Sequence, residues 1–220
     1  MMNNMFSMFD PSTNFFSLNW LSLMLPLIFL PKIYFLSGSR ILLLMVFIND
    51  FIIKELKNKL KPNLFINMIL FVFLFIFILF SNLLSLFPFI FTPTSHMCLN
   101  LFLSFPFWVS LFLGGWISVS EKMFAHLVPM NTPLLLCPFM VVIETISSLI
   151  RPFTLAIRLT ANMIAGHILV FLLSSLLNNK LYIFVISGMI LNLLLMLEIS
   201  VSMIQGYVFI TLMSMYLNEM

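Results

Sequence analysis

Long uncharged stretches alternate with short charged clusters along this chain. Residues 11 to 31 carry no charge. About 20 apolar residues cross a bilayer as a helix, so a first span is predicted over roughly 14–36. The next stretch, "RILLLMVFINDFIIKELKNKLK" at 40–61, has another pattern. Its second half interleaves Asp50, Lys54, Glu55, Lys57, Lys59 and Lys61 with Phe51, Ile52, Ile53, Leu56 and Leu60. That alternation predicts an amphipathic helix lying on a membrane surface, and Glu55 and Lys59 sit one turn apart on it. From Pro62 to Ser120 no residue is charged. This is too long for one span and about right for two, and Pro88 and Pro93 fall where a helix must break. A helical hairpin is therefore predicted over 63–120, with arms near 63–87 and 97–120. "EKMFAHLVPMNTP" then reads as a loop, in which Pro129 and Pro133 end one element and admit the next.

Residues 133–220 hold two longer apolar segments, Pro133 to Leu177 and Leu181 to Leu217, joined by the turn "NNK". The first, about 44 residues, would run roughly 65 Å as a helix. The hydrocarbon layer is only about 30 Å thick. Such a helix must tilt steeply, bend or break, and Pro138 and Pro152 are its candidate breaks. The two segments predict a long, steeply inclined hairpin.

Composition turns this pattern into a class. The chain is 62% hydrophobic and 8% charged, with a mean hydropathy of +1.18. A soluble domain carries roughly 25% charged residues. The expectation is an all-α integral membrane protein, one membrane domain over 1–220, with about five crossings and one surface helix. The net charge of +3 comes largely from one cluster and does not point to nucleic acid. Cys98 and Cys137 lie far apart, with no metal-ligand spacing, and read as small apolar residues. No phosphate loop, HExxH or GxSxG occurs, so neither an enzyme nor a bound cofactor or metal is expected. The start, "MMNNMFSMFDPSTNFF", has no basic or Arg-rich leader, so no cleavable presequence is expected. Five crossings place Lys32, Arg40, Lys54, Lys57, Lys59, Lys61 and Lys122 on one side and Lys180 on the other. The positive-inside rule makes the first side the cytoplasm, or the matrix of a mitochondrion. No internal repeat or matched pair of broken helices suggests an inverted-repeat transporter.

Against this background the polar residues in the last two segments need a reason. Glu144, Arg151 and Arg158 are spaced seven and seven. At 100° per residue each step drifts only about 20°, so the three share one stripe. Asn162 lies one turn beyond Arg158, at the edge of that stripe. His167 is nine residues past Arg158, about 180° round the helix. The last segment places Glu198, Ser202 and Gln205 close to one face. A charge near the bilayer centre costs about 2.5–3.5 kcal/mol on insertion scales. One reading is static pairing, Glu144 with Arg151 and Glu198 with Arg158. Buried ion pairs add little net stability, so an ion pathway explains four such charges better. Glu and His can pass protons on near neutral pH. Arg cannot, and acts as a fixed positive charge and barrier. Gln205 and Ser202 also fit plain interhelical hydrogen bonding. His96 and His126 read as solvated loop residues. The Phe-rich run "NLFINMILFVFLFIFILF" reads as lipid-facing bulk rather than a cofactor box.

"IRPFTLAIRLTANMIAGH" followed by "LEISVSMIQGYVFITLMSMYL" resembles the subunit a family of F-type ATP synthases, in its mitochondrially encoded form, subunit 6. "MFDPST" and "ETISSLIRP" are similar to that family too, and the match covers nearly the whole chain. The resemblance implies a non-catalytic stator subunit of the mitochondrial inner membrane, with its N-terminus toward the intermembrane space and its C-terminus in the matrix. It implies a long hairpin packed against a rotating ring of c subunits, other membrane and peripheral-stalk subunits around it, and two offset aqueous half-channels. The family's essential arginine falls on Arg158, facing a carboxylate in the middle of a c subunit. Asn162 and Gln205 match polar positions near it. His167 and Glu198 match the pair lining the path from the intermembrane space, in an order that looks mitochondrial. Glu144 matches an acidic residue near the matrix side, and Arg151 has no clear counterpart. A self-contained proton-coupled transporter is the alternative. A purely structural anchor subunit would leave the charged stripe unexplained.

Overall fold

The computed structural model describes residues 5–12, 17–30, 38–60, 67–87, 90–118, 120–128, 133, 136–176 and 181–219. Among these the chain is helical throughout, without a strand. Two 3-10 segments, Met5–Phe9 and Leu18–Met24, lead into α1, Leu25–Phe29. There follow α2 (Arg40–Lys59), α3 (Asn67–Ser85), a 3-10 turn (Pro93–Ser95), α4 (Met97–Ser118), α5 (Ser120–Leu127), α6 (Cys137–Leu176) and α7 (Leu181–Glu219). Among the described residues four helices, α3, α4, α6 and α7, are long and apolar enough to cross a membrane. Around the first predicted span, Leu18–Ile28 forms a shorter apolar helix. Lys32, Lys61, Lys180 and the turn at 178–180 lie outside the described residues.

The segment read as a loop after α4 is in part α5, Ser120–Leu127. Glu121 lies in its first turn, where a carboxylate favours a helix N-terminus. Pro152 does not break the long segment either. α6 runs unbroken over 40 residues with Pro152 inside it. Thr145, Ser147, Ser148 and Thr154, which flank the proline, each donate a hydroxyl hydrogen bond to the carbonyl three residues back, at 2.8–2.9 Å. Polar groups in this apolar helix are thereby satisfied within it.

α6 packs between α4 and α7, while α7 also packs on α3. α2 lies against α3 and α7, and the 3-10 turn Pro93–Ser95 lies against α6. The core joins Ile52 and Leu56 of α2 with Phe71, Phe75 and Ile78 of α3, Leu155 and Leu159 of α6, and Phe209, Ile210 and Met213 of α7. The Phe-rich run is therefore lipid-facing on one side only. Met68, Phe71, Leu74, Phe75 and Ile78 are buried, and Ile69, Leu70 and Phe73 are exposed. A helix that is apolar all round fits either a core or a membrane, and its composition does not distinguish them.

Candidate functional site

Exposure along α6 repeats with the helical period. Residues 149, 150, 153, 154, 157, 158, 161, 162, 165 and 169 are exposed, while 152, 155, 156, 159, 160, 163 and 167 are buried. Arg158 and Asn162 thus lie on the outer face, and His167 lies on the inner one. The half-turn separation inferred from spacing is present as opposite environments. Around Arg158 the outer face is mostly apolar, with Phe153 and Ile157 exposed on α6 and Met203 and Ile204 exposed on α7, and with the exposed polar side chains of Thr154 and Asn162 one turn to either side. Among the described residues the ion pairs are Lys59 with Glu55 and Arg151 with Glu144, and none includes Arg158 or Glu198. The static pairing is half present. Arg151 Nη2 stands 4.0 Å from Glu144 Oε1, and its guanidinium lies over the Tyr216 ring at 4.8 Å. Arg151 therefore ties α6 to α7 through the cation–π contact, while its ion pair with Glu144 stays within α6. The other half, Glu198 with Arg158, is not formed.

Glu198 instead lies against α6 at Gly166. A Cβ built on Gly166 would meet the Glu198 Cδ and Oε1 at 2.9 Å. Glycine at 166 is what lets the carboxylate approach the α6 backbone beside His167. The His167 ring is 7% exposed. The backbone of Ser85, at the end of α3, is within hydrogen-bonding reach of it. The Phe9 ring meets it edge-on at 6.3 Å, so the N-terminal 3-10 segment reaches this end of the site. One turn from Arg158, Asn162 Nδ2 donates to Gln205 Oε1 at 2.9 Å, bridging α6 and α7. Ser202 is buried, and its hydroxyl donates to the Ile199 carbonyl of its own helix. Glu144 is half-buried on the same stripe as Arg158, two turns before Arg151.

One cavity of about 260 Å³ links these residues. His167, Glu198, Ser202, Gln205 and Asn162 all line it, and so do Gly166 and, from α3, Asn82. Leu159 and Asn162 bring it within one turn of Arg158. Arg158 itself, Arg151 and Glu144 are not in its lining. Spacing placed the α6 and α7 residues correctly, but it offered nothing on Gly166, Phe9 or Asn82. Gly166 stands in the apolar "IAGH" run, where only the paired helix reveals its use. His96 also departs from expectation. It is half-buried, with Trp20 and Phe91 rings at 5.2 and 5.3 Å, and its Nε2 is buried without a partner. His126 falls in α5. Among the described residues no group of three His, Cys, Asp or Glu could hold a metal ion.

Long apolar helices around a mostly apolar, partly open cavity that His167, Glu198 and other polar side chains line, with an arginine on the outer face, define an all-α integral membrane protein built around a charged intramembrane site. Comparison with known proteins narrows this class. The family model described as ATP synthase A chain matches residues 15–218. The chain is 50% identical over 187 residues to "ATP synthase subunit a" of Drosophila melanogaster, covering 84% of each sequence. It is 51% identical over 178 residues to the protein of the same name from Aedes aegypti, covering 80% of this chain and 79% of the relative. It is 49% identical over 178 residues to the Locusta migratoria one, with the same coverage. The chain belongs to the ATP synthase A chain family.

Proposed function

We propose that this chain is the proton-carrying stator subunit of a rotary F-type ATP synthase in the mitochondrial inner membrane, and that it makes no ATP itself. One observation carries the reading. Arg158 stands exposed on a mostly apolar face without an ion pair among the described residues, while buried His167 and half-buried Glu198, the groups that could move protons, line a cavity that comes within one turn of it. A charge on a lipid-exposed face is costly. A partner that brings a carboxylate to that face removes the cost, and a ring of c subunits with mid-membrane carboxylates has that chemistry. The names of the relatives support the same assembly.

In this mechanism a proton enters from the intermembrane space through the cavity and reaches Glu198 and His167. It then neutralises a ring carboxylate, which can move into the apolar environment once uncharged. A returning carboxylate that meets Arg158 is held ionised by the guanidinium, so its proton must leave earlier, on the matrix side near Glu144. Arg158 also blocks direct leakage, because a guanidinium does not give up its proton. Asn162 and Gln205 supply a neutral, hydrogen-bonded setting one turn away. α2 would lie along the matrix surface, and the N-terminus would face the intermembrane space. Both placements rest on the lysine and arginine distribution. The peripheral stalk and other membrane subunits would hold the hairpin against the ring. The transporter alternative expects unwound helices at the binding site, and α6 and α7 run unbroken past the cavity.

The test is Arg158→Ala in the assembled complex. ATP synthesis driven by a proton gradient should fall more than about a hundredfold, equivalent to roughly 2.7 kcal/mol. ATP hydrolysis by the detached head should persist. Normal synthesis in an assembled variant would sink the proposal.

A further inference from the structure

A second cavity, about 380 Å³, lies away from the polar site, between α2 and the start of α3. Ile53 and Lys57 of α2 and Met68, Ile69 and Val72 of α3 line it, and Lys57 is the charged member of this set. Ile53 and Lys57 stand one turn apart, so one face of α2 presents an apolar wall and then a cation. Lys59 is turned the other way, toward α7, where it meets Glu55 at 3.7 Å and the Tyr207 ring at 5.5 Å. Lys57 and Lys54 enter no ion pair among the described residues. Lys54 is exposed three residues before Lys57 and adds charge on the same side. Asp50 opposes them, but it stands two turns from Lys57. That is about 10.5 Å along the helix, beyond the screening length of roughly 8 Å at physiological salt.

The cavity is charged at one end and apolar along the rest. α3 begins at Asn67, so Met68, Ile69 and Val72 lie in its first two turns. Ile69 is 81% exposed and, with exposed Phe73 one turn on, carries the apolar wall onto the outer face of α3. A molecule with an anionic head and an apolar tail matches this shape. Lysine is a compact point charge that suits a phosphate, and anionic lipids gather at basic segments on a membrane surface. An extended peptide would bring backbone groups that Ile53, Met68, Ile69 and Val72 cannot satisfy, whereas an acyl chain brings none. We propose that this groove holds one anionic phospholipid of the matrix leaflet, with its phosphate on Lys57 and an acyl chain along Met68, Ile69 and Val72. The site goes beyond proton carriage and rests only on the placement of α2 at the matrix surface.

The experiment uses the whole complex, reconstituted in phosphatidylcholine vesicles with a small fraction of photoreactive phosphatidylglycerol, or of photoreactive phosphatidylcholine with the same chains. Mass spectrometry locates the labelled residues after illumination. Leu113 and Ile117, exposed at the end of α4 away from the α3–α4 connection, give the background of ordinary boundary lipid. Relative to them, Ile53, Met68, Ile69 and Val72 should take phosphatidylglycerol about fivefold more than phosphatidylcholine, the preference one lysine confers at a membrane surface. Lys57→Gln should abolish that preference and Lys57→Arg should keep it. Lys54→Gln removes the same charge outside the groove and should leave most of it. Val72→Trp fills the groove and should stop either lipid from labelling Ile53 and Met68, which decides the matter if Lys57→Gln does not assemble. Equal labelling by the two lipids, or equal loss of preference in Lys57→Gln and Lys54→Gln, overturns the site. A groove without label beside labelled Leu113 and Ile117 overturns it too, since a neighbouring subunit then covers the space. Proton pumping is not the readout, so this test stands or falls apart from the proton-carrying reading.

Discussion

The two halves of α7, before and after Gln205, face opposite conditions. After Gln205, Phe209, Ile210, Met213 and Leu217 are 2–5% exposed and pack against α2 and α3. Before it, Met196, Leu197, Met203 and Ile204 are exposed, and Glu198 and Ser202 turn toward a cavity. One half buries its apolar face closely and borders only a small cavity of about 10 Å³, beside Glu55 and Tyr207. The other has water-sized space, orphaned polar atoms and few contacts that could hold its shape. A polar path through a membrane protein needs both conditions, since a cavity keeps its geometry only if a rigid neighbour fixes the helices around it. Gln205 stands at the boundary and, through Asn162, joins the rigid half to α6 near Arg158.

The largest expected effect therefore lies in the packed half, one turn past Gln205. Phe209→Ala removes a ring that is 2% exposed from the centre of the packed half. Lipid tails are as apolar as a core, so the transfer contribution is weak here. Lost dispersion contacts and the cavity left behind remain. The loss should fall near or below the lower end of about 3–5 kcal/mol, read as a lower temperature at which the subunit leaves the complex on a native gel. Surviving complexes should pump protons normally. Glu198→Gln should show the reverse, with normal thermal behaviour and poor pumping. If both variants lower the release temperature equally, the division between a holding half and a working half is wrong. Gly166→Ala comes next. Its Cβ would stand 2.9 Å from the Glu198 carboxylate. That carboxylate ends a flexible side chain, so it can move at little cost to the fold. Assembly should persist, while proton intake slows about tenfold. Adding Glu198→Asp, one methylene shorter, should return part of the rate. No slowing in Gly166→Ala would mean that the position of Glu198 beside His167 does not matter.

How much of this could be read from the chain depended on the kind of signal. Apolar runs and prolines located α3, α4, α6 and α7 to within a few residues, because a membrane helix is written in one continuous stretch. Seven-residue spacing put Glu144, Arg151 and Arg158 on one stripe and His167 on the other side, because helical periodicity is local. What failed was pairing between helices. Glu198 pairs with the space above Gly166 rather than with Arg158, and no spacing within one helix encodes that. Asn82 stands beside Ser81 and Ser85 in an otherwise apolar run, and its place in the cavity lining arises only where α3 meets the hairpin. His96 reads as a loop residue, yet the ring of Trp20, from a distant segment, and that of Phe91, five residues before it, pack against it. The buried Phe face of α3 was hidden for the same reason, since apolar side chains fit lipid and protein alike.

The smallest effect concerns the polar tie of the packed half. The Tyr207 hydroxyl donates to the Glu55 carboxylate, Lys59 Nζ stands 3.7 Å from that carboxylate, and the Asn218 amide reaches the Lys59 carbonyl. Together they fasten α2 to α7 beneath Gln205. Tyr207→Phe keeps the ring, and with it the Lys59 contact at 5.5 Å, and removes only the hydroxyl. Glu55 and Lys59 are each about one-third exposed, so water can replace the lost bond and the screened charges contribute little. The cost should be a few tenths to about 1 kcal/mol, a small drop in release temperature with pumping unchanged. A pumping defect larger than the stability loss would show that α2 does more than hold. It would mean that the setting of Tyr207, two residues past Gln205, reaches the Asn162 bridge, so that the two halves of α7 are coupled rather than separate.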